Sequence, residues 1–164
     1  MATLFIMCGL PFSGKTYLSK KIAERFGIKR ISYDELWKEI HDNEGRDPNW
    51  EALCSIAEAR IAAELKAGRS VVYDTLNDTK GNRDKLRMVA KDAGGKATVI
   101  YTKTSRELFE KRRATARTTG ERLSVSEENF TQAFARFEEP TTDEVVIIRQ
   151  PEEGVDVWLE QLQK

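Results

Sequence analysis

Apolar positions along the chain follow two rhythms that alternate from end to end. Short apolar runs rich in β-favouring residues predict strands at Thr3–Cys8, Lys29–Ser32, Ser70–Tyr73, Ala97–Tyr101 and Val145–Ile148. Between them, apolar residues recur at helical spacing. That spacing predicts helices over Lys15–Phe26, from Asp34 through Leu36, Trp37 and Ile40, and over Asn49–Lys66, Lys80–Ala93, Ser105–Ala116, Ser126–Phe137 and Val155–Leu162. Gly27, Gly68 and the pair Gly94-Gly95 stop three of these helices, and the polar stretch Asp42–Pro48 reads as a loop. Regular strand–helix alternation implies a parallel sheet covered by helices on both faces. With no internal repeat and no low-complexity linker, the expected fold is a single α/β domain over residues 1–164, a three-layer sandwich around a five-stranded parallel sheet.

Composition narrows the function classes. Twenty-seven basic residues balance twenty-seven acidic ones, so the basic excess usual for a nucleic-acid binder is missing, although a local patch would escape this count. The two cysteines, Cys8 and Cys54, provide no disulfide framework, and Cys8 reads as a small buried hydrophobe at the end of the first strand. No apolar stretch is long enough to span a bilayer and no secretory signal pattern is present, so a cytoplasmic protein is expected.

Chemistry enters at Gly9-Leu-Pro-Phe-Ser-Gly-Lys-Thr16, which fits G-x-x-x-x-G-K-[ST] and sits between a predicted strand and a predicted helix. A glycine-rich turn in that place aims backbone N–H groups and the helix dipole at an anion. Gly9, Pro11, Phe12, Ser13, Gly14, Lys15, Thr16 and Tyr17 are therefore the expected nucleotide contacts, with Lys15 reaching the β- and γ-phosphates of ATP and the Thr16 hydroxyl reaching Mg²⁺. Asp74 ends an apolar strand at the sheet edge where ligands collect, and is the expected second oxygen for Mg²⁺; a turn-capping aspartate is the alternative. Asp34 follows the second strand directly and would orient or deprotonate an acceptor hydroxyl, or else cap the helix it starts.

Arg106, Lys111, Arg112, Arg113, Arg117 and Arg122 crowd one segment, and Arg113 and Arg117 share a helix face. Placed after the fourth strand, residues 105–125 read as a small helical lid whose arginines close over the triphosphate, or alternatively as a solvated face paired with Glu107 and Glu110. Trp37, Asn77 and Arg83 are candidate acceptor contacts, and Trp50 is a further aromatic beside the same loop. Thr102-Lys-Thr-Ser105 lacks the aspartate of a guanine-reading motif, so GTP is not favoured.

Together these pieces resemble the small phosphate-loop kinases and AAA-type ATP-binding proteins of the polynucleotide-kinase, zeta-toxin and chloramphenicol-phosphotransferase group. The resemblance rests on Gly9–Thr16, Ile31-Ser-Tyr-Asp34, Ser70-Val-Val-Tyr-Asp-Thr75 with Asn77, Arg113-x-x-x-Arg117, and Phe137-Glu-Glu-Pro-Thr-Thr-Asp-Glu144. It implies a P-loop NTPase fold, Asp34 as catalytic aspartate, Arg113 and Arg117 as lid arginines, and phosphoryl transfer from ATP with Mg²⁺ to a hydroxyl. One departure matters: three residues after the aspartate, where polynucleotide kinases carry an arginine for the acceptor phosphate, this chain has Trp37. A small-molecule acceptor is therefore expected. Alternatives are a polynucleotide or RNA 5′-hydroxyl kinase and an ATP-binding regulatory ATPase that transfers nothing.

Overall fold

The computed structural model describes residues 1–119, 127–150 and 152–162; for 116–119, 127, 129 and 130 it describes the backbone alone. Strands β1 (Thr3–Cys8), β2 (Lys29–Ser32), β3 (Val71–Asp74), β4 (Lys96–Thr102) and β5 (Val146–Arg149) form one parallel sheet in the order β2-β3-β1-β4-β5. Helices α1 (Lys15–Phe26), α2 (Tyr33–Glu44), α3 (Trp50–Lys66), α4 (Lys80–Asp92), α5 (Arg106–Thr119), α6 (Glu127–Arg136) and α7 (Val155–Gln161) connect and follow the strands. Every strand and helix expected from the periodicity is present, with ends shifted by a few residues. The largest differences fall at α2, which runs to Glu44 before Gly45 takes a left-handed conformation (φ 66°) and ends it, and at α5, which runs to Thr119.

Alternation along β1 explains the three layers. Leu4, Ile6 and Cys8 point to one face, where they meet β3, α2, α3 and α4 through Leu36, Leu53, Ala57, Ile61 and Leu86. Met7 points to the other face and joins Leu18 and Ile22 of α1 with Trp158 and Leu159 of α7. Because both faces are covered, β1 reads as a continuous apolar run rather than an alternating one. Leu4, Ile6 and Met7 are fully buried, and truncating any of them to alanine is expected to cost ~2–5 kcal/mol.

The sheet order also fixes where a ligand can sit. β1 lies between β3 and β4, and the chain winds outward from it in opposite directions, which opens a crevice at the carboxyl ends of the strands. The loop after β1 enters that crevice. Among the described residues no helix is long and apolar enough to cross a membrane.

Candidate functional site

The loop between β1 and α1 is tightly built. Gly9 has φ 149°, and a Cβ there would sit 2.3 Å from Thr102 Oγ1 and 2.9 Å from the Thr102 carbonyl oxygen, so only glycine fits. Ser13 and Thr102 hydroxyls share a 2.6 Å hydrogen bond, and Thr102 donates to the Cys8 carbonyl at 3.1 Å, which ties the loop to β4. Phe12 occupies the left-handed region (φ 63°), an uncommon and strained choice for a bulky side chain. Its ring meets Phe109 of α5 edge-on at 6.0 Å, and its carbonyl accepts from Arg112 Nη1 at 2.9 Å. Lys15 is buried, with its ammonium donating to the Gly9 and Leu10 carbonyls at 2.7 Å each.

A cavity of about 400 Å³ opens beside this loop. Pro11, Phe12, Gly14, Lys15 and Thr16 line one side, Asp74, Thr75 and Leu76 its floor behind β3, and Ser32, Tyr33, Asp34 and Trp50 the side formed by α2 and α3. Gln132, Ala133 and Arg136 of α6 complete it. The sequence thus brings Lys15, Thr16, Asp34 and Asp74 to one space although they are far apart in the chain. Asp34 lies within the first turn of α2, the N-cap being Ser32, and its carboxylate makes no hydrogen bond or ion pair among the described residues. It is therefore not a cap. Asp74 is not a turn cap either: its Oδ2 accepts from Ser19 Oγ at 2.9 Å and from Arg30 Nη2 at 2.7 Å, while Oδ1 accepts nothing among the described residues.

The oxygens of Thr16 and Asp74 suit Mg²⁺. Among the described residues no three His, Cys, Asp or Glu groups gather into a metal cluster, so an ion here would rest on one or two protein oxygens. That is the coordination Mg²⁺ favours, since it keeps waters and takes its remaining ligands from phosphates.

Other expected residues are placed elsewhere. Ser13 is buried in its bond to Thr102 and Gly9 in the turn, so both shape the loop rather than line the cavity; Tyr17 is exposed on α1 and outside it. Arg83, expected to contact acceptor, is fully buried and forks onto Glu144 with Nε–Oε1 at 2.7 Å and Nη2–Oε2 at 3.1 Å. Its remaining nitrogen donates to the Asn77 carbonyl at 3.0 Å, so no donor reaches the cavity. Asn77, also expected there, is buried with φ 46° and donates its amide to the Met7 carbonyl at 2.7 Å. Both positions therefore brace the strand ends under the loop. Trp37 stacks on His41 with centroids 4.8 Å apart, packs against the core and is not among the residues lining the cavity. Trp50 holds the aromatic position instead, 47% exposed and 4.6 Å from the Tyr33 ring.

In the basic segment, Arg113 pairs with Glu110 at 3.7 Å and does not line the cavity. The side chain of Arg117, and all of Gly120, Glu121 and Arg122, lie outside the described residues. Sequence reasoning missed Arg136, whose Nε donates to the buried Asp78, and Arg30, a charged residue inside a strand. The second was detectable: alternation along β2 puts Arg30 on the face of Ser32, pointing away from the apolar Ile31 side. The Phe137–Glu144 segment is held by structure rather than by ligand. Glu138 N–H donates to the Asp78 carbonyl at 2.7 Å, Glu138 accepts from Lys80 N–H at 2.5 Å, and Glu144 closes on Arg83. Cys8 beneath the loop is pushed up to about 11, burial outweighing the nearby Arg83 and Lys15 charges, so the thiol stays protonated and inert at neutral pH.

The same architecture recurs in solved structures. A Kti12 from Chaetomium thermophilum in complex with ADP-AlF3 aligns with TM-score 0.70 and 23% identity, covering 98% of this chain and 97% of that one. A gluconokinase from Sinorhizobium meliloti gives TM-score 0.66 and 19% identity over 98% and 93% of the two chains. The Mycobacterium tuberculosis APS kinase CysC, in complex with AMPPNP and APS, gives 0.67 and 17% over 99% and 95%. At these identities the likeness establishes a shared P-loop NTPase-like α/β fold. No curated protein matches the sequence. Residues 4–140 match the family described as AAA domain. That stretch contains every residue around the cavity, from Pro11 to Arg136, and the chain belongs to the AAA domain family.

Proposed function

We propose that the protein is an ATP- and Mg²⁺-dependent phosphotransferase that moves the γ-phosphoryl group of ATP to a hydroxyl of a small molecule. The observation that carries this reading is Asp34: a carboxylate unpartnered among the described residues, lining the same cavity as Lys15, Thr16 and Asp74. A carboxylate in that place can orient and deprotonate the nucleophile that attacks the γ-phosphorus. The space beside it, walled by Tyr33 and Trp50, gives that nucleophile room to be a bound acceptor rather than water. The loop amides and Lys15 hold the phosphates, and Thr16 and Asp74 hold the metal. When bound, Mg²⁺ neutralises charge on the phosphate oxygens. The acceptor oxygen attacks the γ-phosphorus in line, Asp34 orients its hydroxyl and receives its proton, the bond to the β–γ bridging oxygen breaks, and ADP leaves.

Trp50 and Tyr33 offer the acceptor an aromatic wall, with Arg136 and Gln132 as polar contacts opposite; a flat-faced, hydroxyl-rich compound suits this mixture. The gluconokinase and APS kinase likenesses support a small acceptor, and the nucleotide analogues held by Kti12 and APS kinase support ATP. Nucleic acid is disfavoured by the neutral charge balance. Residues 1–164 act as one domain, with 105–125 as the lid: Arg112 grips the Phe12 carbonyl, and Phe109 lies between Phe12 and Phe134. Arg113 and Arg117 add positive charge from that lid. A cytoplasmic location suits an ATP consumer.

The test is transfer from γ-labelled ATP, with Mg²⁺, to a panel of sugars, sugar acids, nucleosides, other small alcohols and 5′-hydroxyl oligonucleotides, with Asp34→Asn as control. Label moving to a small compound with wild type but not the variant is the expected result. Label moving to oligonucleotide ends would make the protein a polynucleotide kinase. Label released only as inorganic phosphate, whether or not Asp34→Asn slows its release, would refute transfer.

A further inference from the structure

The side-chain geometry points to Arg30 as a positioning residue that holds Asp74 with one oxygen turned to the metal, and that ties this carboxylate to the helix carrying Asp34. The inference rests on the reading above that Asp74 serves a nucleotide-bound Mg²⁺. β2 is an edge strand paired in parallel with β3, so that Ser32 lies opposite Asp74 and Arg30 opposite Val72. Arg30 therefore starts two residues short of Asp74, about 6.6 Å along the strand. Its side chain, only 10% exposed, spans that gap.

Three donors of the guanidinium are committed at the far end. Nη2 donates to Asp74 Oδ2 at 2.7 Å, Nε to Ser19 Oγ at 2.9 Å and Nη1 to Glu35 Oε1 at 2.5 Å. Ser19 Oγ lies 2.9 Å from the same Asp74 Oδ2 and 3.0 Å from the Thr16 carbonyl. It has one proton and already accepts from Arg30, so the charged carboxylate is its stronger acceptor. Two donors thus converge on Oδ2, which fixes the carboxylate plane and leaves Oδ1 alone for a cation. A Mg²⁺ ion that takes one oxygen from Asp74 keeps its other positions for Thr16, phosphates and water.

The third contact extends the effect. Glu35 follows Asp34 in the first turn of α2, so the guanidinium bridges the strand bearing the metal carboxylate and the helix bearing the acceptor carboxylate. It also supplies the countercharge for a carboxylate that is 5% exposed. Lysine cannot replace this three-way fork, because its point charge cannot meet all three acceptors in fixed directions.

The test separates positioning from simple support of the fold. Affinity for a fluorescent ADP analogue is measured by titration in EDTA and in excess Mg²⁺, and the ratio of the two dissociation constants is the metal linkage. In the wild type this ratio is expected at about 5–150, the usual span of coupling between sites. Arg30→Met should bring it close to that of Asp74→Asn, near unity, while affinity in EDTA stays within about twofold, and Arg30→Lys should recover only part. Ser19→Ala, which leaves the ion pair in place, should lower the ratio partially and serves if Arg30→Met does not fold. A ratio that stays or rises in Arg30→Met and Ser19→Ala, while Asp74→Asn loses it, overturns the role of Arg30 and leaves the metal reading standing. Equal weakening in EDTA and Mg²⁺ makes Arg30 a fold-supporting residue only. Absence of linkage in the wild type, or its survival in Asp74→Asn, removes the metal reading and this inference with it.

Discussion

Replacing Arg83 with methionine distinguishes a ligand contact from a structural brace. Both members of the Arg83–Glu144 pair have fully buried side chains, joined by two hydrogen bonds of 2.7 and 3.1 Å. Losing Arg83 strands a carboxylate whose remaining well-formed donor among the described residues is the Thr141 backbone N–H at 2.9 Å. The Thr141 hydroxyl, 3.3 Å away, has a closer acceptor for its one proton in Asp143 at 2.5 Å. Breaking a buried pair by removing one partner costs ~3–5 kcal/mol, because the remaining charge is neither solvated nor compensated. For a chain of this length each kcal/mol shifts the melting temperature by about 2–4 °C, so Arg83→Met should melt about 6–20 °C lower. Removing both charges with apolar residues of similar size, as Arg83→Met with Glu144→Leu, should recover most of that loss. Thermal unfolding followed by circular dichroism supplies the melting temperatures; acceptor and nucleotide titrations well below them supply the binding. An Arg83→Met protein that melts with the wild type but binds acceptor poorly would refute this reasoning and return Arg83 to the substrate side.

Four further outcomes follow from the same geometry. Burial alone would raise the Glu144 carboxyl, but the Arg83 hydrogen bond and charge and the Thr141 N–H outweigh it, leaving it below its ordinary 4.5. A depressed native value stabilises the fold above pH 4.5 and is lost as pH falls through that native value, so denaturant titrations should show wild-type stability falling below pH 4.5 more steeply than that of Glu144→Gln. Asp34→Asn should keep ATP affinity while transfer slows by roughly 10²–10⁴, the usual range for a general base; normal turnover would remove Asp34 from the chemistry. Trp50→Ala should raise acceptor KM roughly tenfold, equivalent to ~1.4 kcal/mol, with kcat little changed, whereas Trp37→Phe should alter neither. At position 12 the backbone can be isolated by comparing glycine with alanine: Phe12→Gly should be more stable than Phe12→Ala by about 1 kcal/mol, since an L-residue in the left-handed region carries a penalty of that order. Chemical denaturation giving the reverse order would show that Phe12 is not strained.

The strands, the helices and the phosphate-binding loop were determined by the sequence, because each depends on neighbours in the chain: a period of two or 3.6, a glycine where φ must be positive, a strand feeding a turn that opens a helix. That local logic placed Lys15, Thr16, Asp34 and Asp74 at strand ends, and a parallel sheet collects strand ends on one edge. Tertiary structure alone decided which side chains share the resulting space. Arg83 and Asn77 sit in sequence close behind Asp74, yet burial under the loop commits their polar groups to Glu144 and to the Met7 carbonyl. Trp37 and Trp50 are indistinguishable as aromatics beside a loop. The Trp37 contact with His41 is an i,i+4 neighbour on α2, but the packing of α2 and α3 on the sheet is what seats Trp37 against the core and leaves Trp50 facing the cavity. Arg30 and Arg136 carry no local signal for their partners, because Asp74 and Asp78 lie 44 and 58 residues away. A hydrogen bond across such a distance is fixed by strand register and helix packing, which depend on the whole chain rather than on the residues at either end of it.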